Sequence, residues 1–516
     1  VDPTHYFHNF GMRMLATQLA EAGHQVEMVF ALGACPPRAV EADPFLDSLA
    51  RRLAGADLVG VSVYTNYLLE AEAVTGFVKD RHGLPVVWGG VHATVMPEES
   101  LAHADYVVVG EGEDALVGLV DRLRDRADLE GLPNLWRRGP DGASLRPVLH
   151  PLQRDLDEYG FPMYLELDST WIAHPETREL VQLTEDHLVR LTLGSGRYYG
   201  LPDDRPYHGY LTMASRGCPN RCAYCINNAV NRLFERKSDA FRFRSVPRVI
   251  DELETVRRRF PFLDFVFFFD DNFCARPLAE VEAFCRLYRE RIGVPFKCNV
   301  HPNNLSEEKI DLLVEAGLVS VEMGIESGSA RINREVYTRP HSAASLSRVA
   351  DLLAHKHRGK VVSYYDVIMD NPWETHEDVS QTIRLVQQLP RPFHLSHFSL
   401  TFFPGTALYD RAVQEGIVTD LVRDVVLKRN NRLYAASDPY SKLLLSVSPF
   451  VTSRWGRALL SFLAHPLLLR LGNGRIVAWA VRGLMRRMIA GRIRYNAWRS
   501  RRGERQRERH DAKSAA

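Results

Sequence analysis

Arg216-Gly217-Cys218-Pro219-Asn220-Arg221-Cys222-Ala223-Tyr224-Cys225 is the stretch on which the reading of this chain turns. It follows at once on Tyr210–Ala214, an apolar run that reads as a strand, so three thiols spaced Cys-x3-Cys-x2-Cys fall on the loop after a strand. Three thiolates so close in sequence can converge on one soft metal centre. A closed structural zinc site wants four protein ligands; no fourth Cys lies nearby, although His208 could serve. A 4Fe-4S cluster held by three cysteines leaves one iron open, and an open iron at the mouth of a barrel is a place to bind and reduce a substrate. Spacing alone keeps structural zinc and three unrelated buried thiols as alternatives.

Downstream of the loop, strand patterns recur at Phe265–Phe269, Phe296–Val300, Ser320–Gly324, Ser363–Met369 and His397–Phe402. Helical patterns separate them, as at Val249–Arg258, Glu280–Arg291 and Glu307–Ala316. With Tyr210–Ala214 they make six strand-and-helix units, which predict a full or partial parallel barrel with its site at the carboxyl ends of the strands. Upstream, Met12–Leu119 alternates in the same way: helices at Met12–Ala22, Phe45–Leu53 and Leu68–Lys79, strands at Val26–Phe30, Leu58–Val63, Val86–Trp88 and Tyr106–Val109. The last two strands run into the turns Gly89-Gly90-Val91-His92 and Gly110-Glu111-Gly112-Glu113, where glycine lets backbone approach a ligand closely; either turn alone could merely end a strand. The strand that should precede the first helix is expected to be missing, because the chain opens at Val1, and a truncated or misassigned start is suspected. From Leu129 to Tyr210 periodicity weakens and Pro, Gly and Asp become frequent, as in a connector.

Composition narrows the setting. The 516 residues are 45% hydrophobic and 25% charged, more chain than one core organises. Lys and Arg total 65 against 64 Asp and Glu, a net of +1, which argues against a protein dominated by nucleic-acid backbone binding. Val481–Ala516 holds twelve basic and three acidic residues, net +9, so residues 1–480 carry −8. Seven cysteines, an odd number, are too few for a disulfide scaffold and point to a reducing compartment. No signal peptide or membrane span is visible, so a cytoplasmic location is expected.

The cysteine motif, with aromatic Tyr224 before the third Cys, resembles the signature of the radical S-adenosylmethionine (SAM) enzymes. So do Phe269-Asp270-Asp271-Asn272-Phe273, Gly324-Ile325-Glu326-Ser327-Gly328-Ser329 and Phe403-Pro404-Gly405-Thr406, in the right order. The resemblance implies a 4Fe-4S cluster on Cys218, Cys222 and Cys225, whose open iron chelates SAM and cleaves it to a 5′-deoxyadenosyl radical. It implies Tyr224 against the adenine and Asp271, Asn272, Glu326 and Ser327 around SAM. Met369-Asp370-Asn371-Pro372-Trp373-Glu374-Thr375 departs from the commoner Gly-x-Pro-Gly-Glu-Thr turn at Asp370 and Trp373; the indole either reshapes the pocket or caps a helix from outside.

The amino-terminal region resembles the cobalamin-binding domain that precedes the barrel in one large subfamily. That implies cobalamin contacts from Ser62, Gly89, Gly90, His92, Gly110, Glu111 and Gly112. Small residues suit a large flat ligand. The Asp-x-His-x-x-Gly cobalt-ligand motif is only half present in His8-Asn9-Phe10-Gly11, since position 6 is Tyr6, so His8 is not expected to bind cobalt, and His92 is expected as a polar contact. A nucleotide-binding or solute-sensing domain of the same topology stays open.

The expected architecture is therefore α/β: a flavodoxin/Rossmann-like cobalamin domain (1–125), a connector (126–208), a partial parallel (β/α)6 TIM-like barrel (209–418) and a helical region with a basic tail (419–516). The implied reaction is methylation of an unactivated carbon or phosphorus in a small molecule or lipid. Cyclisation, ring rearrangement or oxidation with the same cofactors is the second reading, and a cobalamin or cluster sensor the third. Asn299, His301, Tyr365 and His397 are the substrate candidates, equally readable as core, and the electron donor is expected to be a flavodoxin or ferredoxin. Trp455, Leu459, Leu460, Phe462, Leu463 and Leu467–Leu469 form an apolar helical pattern followed by Arg482, Arg486, Arg487, Arg492 and Arg494. Packing on the barrel up to about residue 495 is expected, with peripheral membrane contact as the alternative.

Overall fold

In the computed structural model, residues 1–483 and 487 are described, apart from 5, 39–41, 165, 196–205, 235–240, 340–341, 358, 431–437 and 475. Short valine-rich runs bounded by glycine make the amino-terminal strands, since β-branched side chains pack well on a sheet covered on both faces. In order come α1 (Phe10–Glu21), β1 (Met28–Phe30), α2 (Pro44–Arg52), β2 (Val59–Ser62), α3 (Leu68–His82), β3 (Val86–Gly89), α4 (Val91–Val95), α5 (Pro97–His103), β4 (Tyr106–Val108) and α6 (Glu113–Arg124). β2, β3 and β4 are parallel neighbours. Val61, Val74, Val86 and Val107 share their core with Trp88, whose indole N–H donates to Thr75 Oγ1 at 2.7 Å.

Val1 and Asp2 stand in the place of the strand expected to be missing. Asp2 N donates to Val29 O at 2.8 Å, Ala31 N to Asp2 O at 2.9 Å and Ser62 N to Val1 O at 3.0 Å. Val1 and Asp2 thus lie between β1 and β2, as the first strand does in a flavodoxin-like sheet. Two residues carry no alternation to read. Much of the stretch read as a connector extends this sheet at both edges. β5 (Leu135–Arg138) pairs antiparallel with β4 and with β6 (Ser144–Leu145). β7 (Thr170–Ala173) adds in parallel to β1, and β8 (Leu180–Gln182) antiparallel to β7.

After α7 (Glu185–Thr192) and β9 (Leu193–Ser195), the second series runs through β10 (Pro206–Thr212), β11 (Ser215–Arg216), α8 (Ile226–Asn231), β12 (Arg242–Phe243), α9 (Val246–Arg259), β13 (Phe265–Phe268), α10 (Leu278–Arg291), β14 (Phe296–Val300), α11 (Glu307–Ala316), β15 (Leu318–Glu326), α12 (Ala343–Asp351), β16 (Val362–Met369), α13 (His376–Gln388), β17 (Phe393–Ser399) and α14 (Ala407–Gln414). The sheet order is β9-β10-β13-β14-β15-β16-β17, the open, partial form of the expected barrel with one extra strand at its edge. β10, β13, β14 and β15 are parallel in sequence, and β9 is antiparallel to β10. The last strand was expected at His397–Phe402 and lies four residues earlier, because polar His394 and Ser396 hide its start.

The chain forms two compact units. The larger comprises Val1–Gly324, Asn333–Tyr365 and Thr401–Arg429. The smaller gathers Ile325–Ile332, Asp366–Leu400 and the described residues from 438 onward, among them α15 (Pro439–Val447), α16 (Arg454–Leu463) and α17 (Pro466–Gly472). The packing expected of the terminal apolar helices holds for Leu460 and Leu469, which are buried, and not for Trp455, Leu459, Phe462 and Leu467, which are exposed. Arg486, Arg492 and Arg494 lie outside the described residues.

Candidate active site

The cysteine loop is held from below by a buried carboxylate. Asp270, fully buried just after β13, accepts from Ala214 N at 3.0 and 3.1 Å and from Ser215 Oγ. Such bonds offset the cost of keeping a carboxylate out of water. β11 then pairs with β12, Gly217 turns with φ +78°, and Cys225 caps the start of α8. Ala223 N donates to Tyr337 O at 2.8 Å and Leu408 N to Ala223 O at 3.1 Å, fixing the middle of the loop. Cys222 is buried, and Cys218 and Cys225 are partly exposed.

Burial pushes the Cys218 thiol up to about 11 and the Cys225 thiol up to about 12, and the nearby Asp271 carboxyl adds to both. They become thiolates when a positive metal centre displaces their protons. Three cysteines on one loop can each take a different iron of a 4Fe-4S cluster.

Arg339, which the sequence reading did not single out, ties this loop to the sheet. Its Nη1 donates to Tyr224 Oη at 3.0 Å and to Cys222 Sγ at 3.5 Å, and its Nη2 to Gly324 O at 2.9 Å. Asp271 is raised to about 6 by burial, with the Asn227 side chain opposing. Asn272 is fully buried; its Nδ2 donates to Asn304 Oδ1 at 2.8 Å, and its Oδ1 has no hydrogen-bond partner among the described residues. Asn299 Nδ2 donates to Asp270 O at 3.1 Å, leaving its own Oδ1 similarly unmatched. His301 is buried and lowered to about 4 by burial and by Arg339, so it is neutral near pH 7.

Tyr365, a substrate candidate, is 1% exposed on the β16 face it shares with Val367 and Met369, which is the covered face. The tyrosine on the other face is Tyr364. Its ring lies 4.6 Å from Lys297 Nζ, which also stands 4.8 Å from the Phe267 ring and 2.7 Å from Glu322 Oε2. Alternation could not choose between the two tyrosines, because apolar residues occur on both faces of β16.

In the smaller unit, Glu326 has φ +61° and Ser327 Oγ donates to Glu374 Oε1 at 3.1 Å. A Cβ on Gly328 would meet Thr382 Cα at 2.5 Å, so this glycine lets the strand end lie against α13. Asp370, where the family turn more often has glycine, indeed takes a left-handed φ of +60°. Its carboxylate accepts from Ser399 Oγ and forms a 2.5 Å pair with Lys442 Nζ, a lysine with no exposed surface. Trp373 N donates to Asn371 Oδ1 at 3.0 Å at the turn into α13. His397 has no hydrogen-bond partner at either ring nitrogen among the described residues, and burial and Lys442 lower its pKa, with Asp370 opposing.

The glycine turns of the amino-terminal sheet come together. Ser62 Oγ accepts from Asn9 Nδ2 at 3.1 Å, and Gly110 N donates to Thr94 Oγ1 at 3.1 Å. Gly90 has φ +96° and any Cβ there would meet Val63 O at 3.0 Å, whereas Gly89 borders open space. His92 is fully buried, bonded through Nδ1 to Thr65 Oγ1 at 3.1 Å and lowered to about 4 by burial; its Nε2 has no partner among the described residues. Beside these turns opens a cavity of about 610 Å³ lined by Thr94, Val95, Val109, Trp136, Leu233 and Gly405 among others. The cavity wall also carries Glu98, Glu99, Arg146, Arg232 and Asp410, and none of Ser62, Gly89, Gly90, His92, Gly110, Glu111 and Gly112 lines it; the open space at Gly89 is what leaves room for a large flat ligand.

The third turn grips the cysteine loop. Arg216, two residues before Cys218, bonds Glu113 and, at 3.1 Å, Glu111; Arg242 bonds Glu111 as well. Burial raises the Glu111 carboxyl, and the Arg242 and Arg216 guanidiniums more than reverse that, holding it below the ordinary range. The side chain of Glu111 is thus taken by arginines, and its carbonyl oxygen accepts from Asn134 Nδ2 at 3.1 Å. Gly112 packs on Leu15, whose Cδ2 a Cβ would meet at 3.3 Å.

Two family models match the chain: the B12 binding domain over residues 2–120 and the radical SAM superfamily over residues 213–386. The chain belongs to the cobalamin-dependent radical SAM family. It is 25% identical over 442 residues to an uncharacterized methyltransferase of Pyrococcus horikoshii, covering 83% of this chain and 84% of that one. It is 25% identical over 396 residues to the cytidylyl-2-hydroxyethylphosphonate methyltransferase of Streptomyces wedmorensis, covering 67% and 65%. Its fold resembles that of the radical SAM methyltransferase TsrM from Kitasatospora setae, solved with tryptophan and a SAM analogue, with TM-score 0.61 and 19% identity over 80% of this chain and 75% of that one.

Membership in this family explains why the cysteine loop and the glycine turns were readable and the arginines were not. Arg216, Arg242 and Arg339 act through partners far away in sequence, which no local pattern marks. The one available signal was Arg216 itself, a charge placed beside a cluster loop and so in need of a partner.

Proposed function

We propose that this chain is a methyltransferase acting on an unactivated carbon, or on phosphorus, of a small molecule or lipid. The observation that carries this reading is the clamp of Arg216 and Arg242 on Glu111 and Glu113, which joins the cysteine loop to the last glycine turn within one compact unit. The two relatives named above are methyltransferases, which supports methyl transfer over cyclisation, oxidation or sensing. Bound in these sites, SAM and the cluster supply a 5′-deoxyadenosyl radical and cobalamin carries the methyl group, a combination suited to an acceptor that is not nucleophilic.

The chain's own residues bind and orient. Cys218, Cys222 and Cys225 hold the cluster, and Arg339 keeps Tyr224 in place for the adenine. Asp271 and Asn272 in the larger unit, and Glu326 and Ser327 in the smaller, are each candidates to contact SAM. Ser62, Gly89, Gly90, Gly110, Gly112 and the backbone of Glu111 contact cobalamin, with His92 bracing the turn from inside. In the larger unit Asn299 and His301 offer hydrogen-bonding groups to the substrate, with Lys297 and Tyr364 as further candidates for its wall; His397 is a separate candidate in the smaller unit. The electron comes from a flavodoxin or ferredoxin. Anaerobic reconstitution tests the proposal: the protein should take up iron, sulfide and cobalamin and form 5′-deoxyadenosine from SAM. Replacement of the three cysteines by Ala should abolish iron uptake and 5′-deoxyadenosine while cobalamin binding persists; survival of both would overturn it.

A further inference from the structure

The carboxyl-terminal helices turn apolar rows outward. In α16, Trp455, Leu459 and Phe462 recur at helical spacing on one face and are 88%, 58% and 65% exposed. Leu467 and Leu471 repeat the pattern in α17, and Ile476 and Trp479 in the helical residues 476–483. Single exposed apolar residues are ordinary, but seven large ones on three successive short helices make a patch that soluble surfaces rarely carry.

Charge says what covers it. From Pro439 to Gly503 the sequence has thirteen Lys or Arg and no Asp or Glu. Arg454, Arg470 and Arg482 are exposed on the same helices. Apolar rows with tryptophan, edged by arginine and free of acidic residues, suit the boundary between headgroups and acyl chains of an anionic bilayer. No helix among the described residues is long and apolar enough to cross a membrane.

We propose that these helices lie in the plane of an anionic lipid surface and dock this chain to it, whatever its reaction. The apolar row enters the interface, and the arginines pair with lipid phosphates. Co-flotation of the full chain with phosphatidylcholine vesicles, with and without phosphatidylglycerol, tests this. Wild type should float with the anionic vesicles at low salt and much less with the neutral ones. The combined Trp455→Ser, Leu459→Ser, Phe462→Ser variant should partition at least roughly 10-fold more weakly, with unchanged circular dichroism and cobalamin content, because all three side chains are exposed. The proposal is overturned if wild type ignores anionic vesicles, or if the variant floats equally well. It is also overturned if the patch serves a second copy instead, seen as a dimer that the variant dissolves in the absence of any vesicle binding.

Discussion

The cysteine loop and the helices after Asp438 are built on opposite plans. At the loop, buried Asp270 is answered by Ala214 and Ser215, half-buried Arg216 by Glu111 and Glu113, and half-buried Tyr224 by Arg339. In the helices, large apolar groups such as Trp455, Leu459 and Phe462 stand exposed among the described residues. Both depart from the ordinary rule of apolar inside and polar outside, and such departures mark function. A buried polar network costs desolvation and is kept where it fixes a geometry. An exposed apolar row costs solubility and is kept where it meets a surface.

The contrast predicts a ladder of effects. Removing a cluster ligand, as in Cys222→Ala, should eliminate 5′-deoxyadenosine formation, read by chromatography of the reaction mixture. Arg216→Ala leaves Glu113 buried without its partner, which costs on the order of 3 kcal/mol in thermal or denaturant unfolding, and the displaced loop should turn over roughly 10- to 100-fold more slowly. Gly328→Ala pushes a Cβ into the α13 backbone and should cost about 1 to 3 kcal/mol of stability.

A smaller effect is read from pH. Burial, aided by Asp378 and Asp438, raises Glu374 to about 8, with Ser327 and Arg331 opposing. The folded chain therefore holds that proton more tightly than the unfolded one. Its stabilising contribution is complete below the ordinary glutamate range and is lost as pH rises through about 8. Glu374→Gln should flatten the fall in melting temperature between about pH 4.5 and 8. The smallest effect belongs to the other plan: Trp455→Ser should change stability in solution by no more than about 0.5 kcal/mol. A large loss there would mean that the indole is packed and would break the contrast.

Much of this was legible in residue order. Valine-rich runs located β2, β3 and β4, the last two ending in glycine, and cysteine spacing located the cluster loop, because both are local signals. Asp2 escaped because two residues show no period. β5 and β7 escaped because Leu135-Trp136-Arg137-Arg138 and Thr170-Trp171-Ile172-Ala173 do not alternate polar with apolar residues. That Tyr365 lies on the covered face escaped because β16 carries apolar residues on both faces. The outward turn of Trp455, Leu459 and Phe462 escaped because periodicity reveals that a helix has an apolar face, not whether anything covers it.

The central claim is that the cluster loop and the cobalamin domain act together to move a methyl group. The most direct measurement feeds cells producing the wild type or the Cys222→Ala variant with methyl-deuterated methionine and compares their metabolites by mass spectrometry. The account predicts a product carrying the labelled methyl group in wild type and missing from the variant. Formation of 5′-deoxyadenosine by the purified wild type with no labelled product in any extract would contradict it.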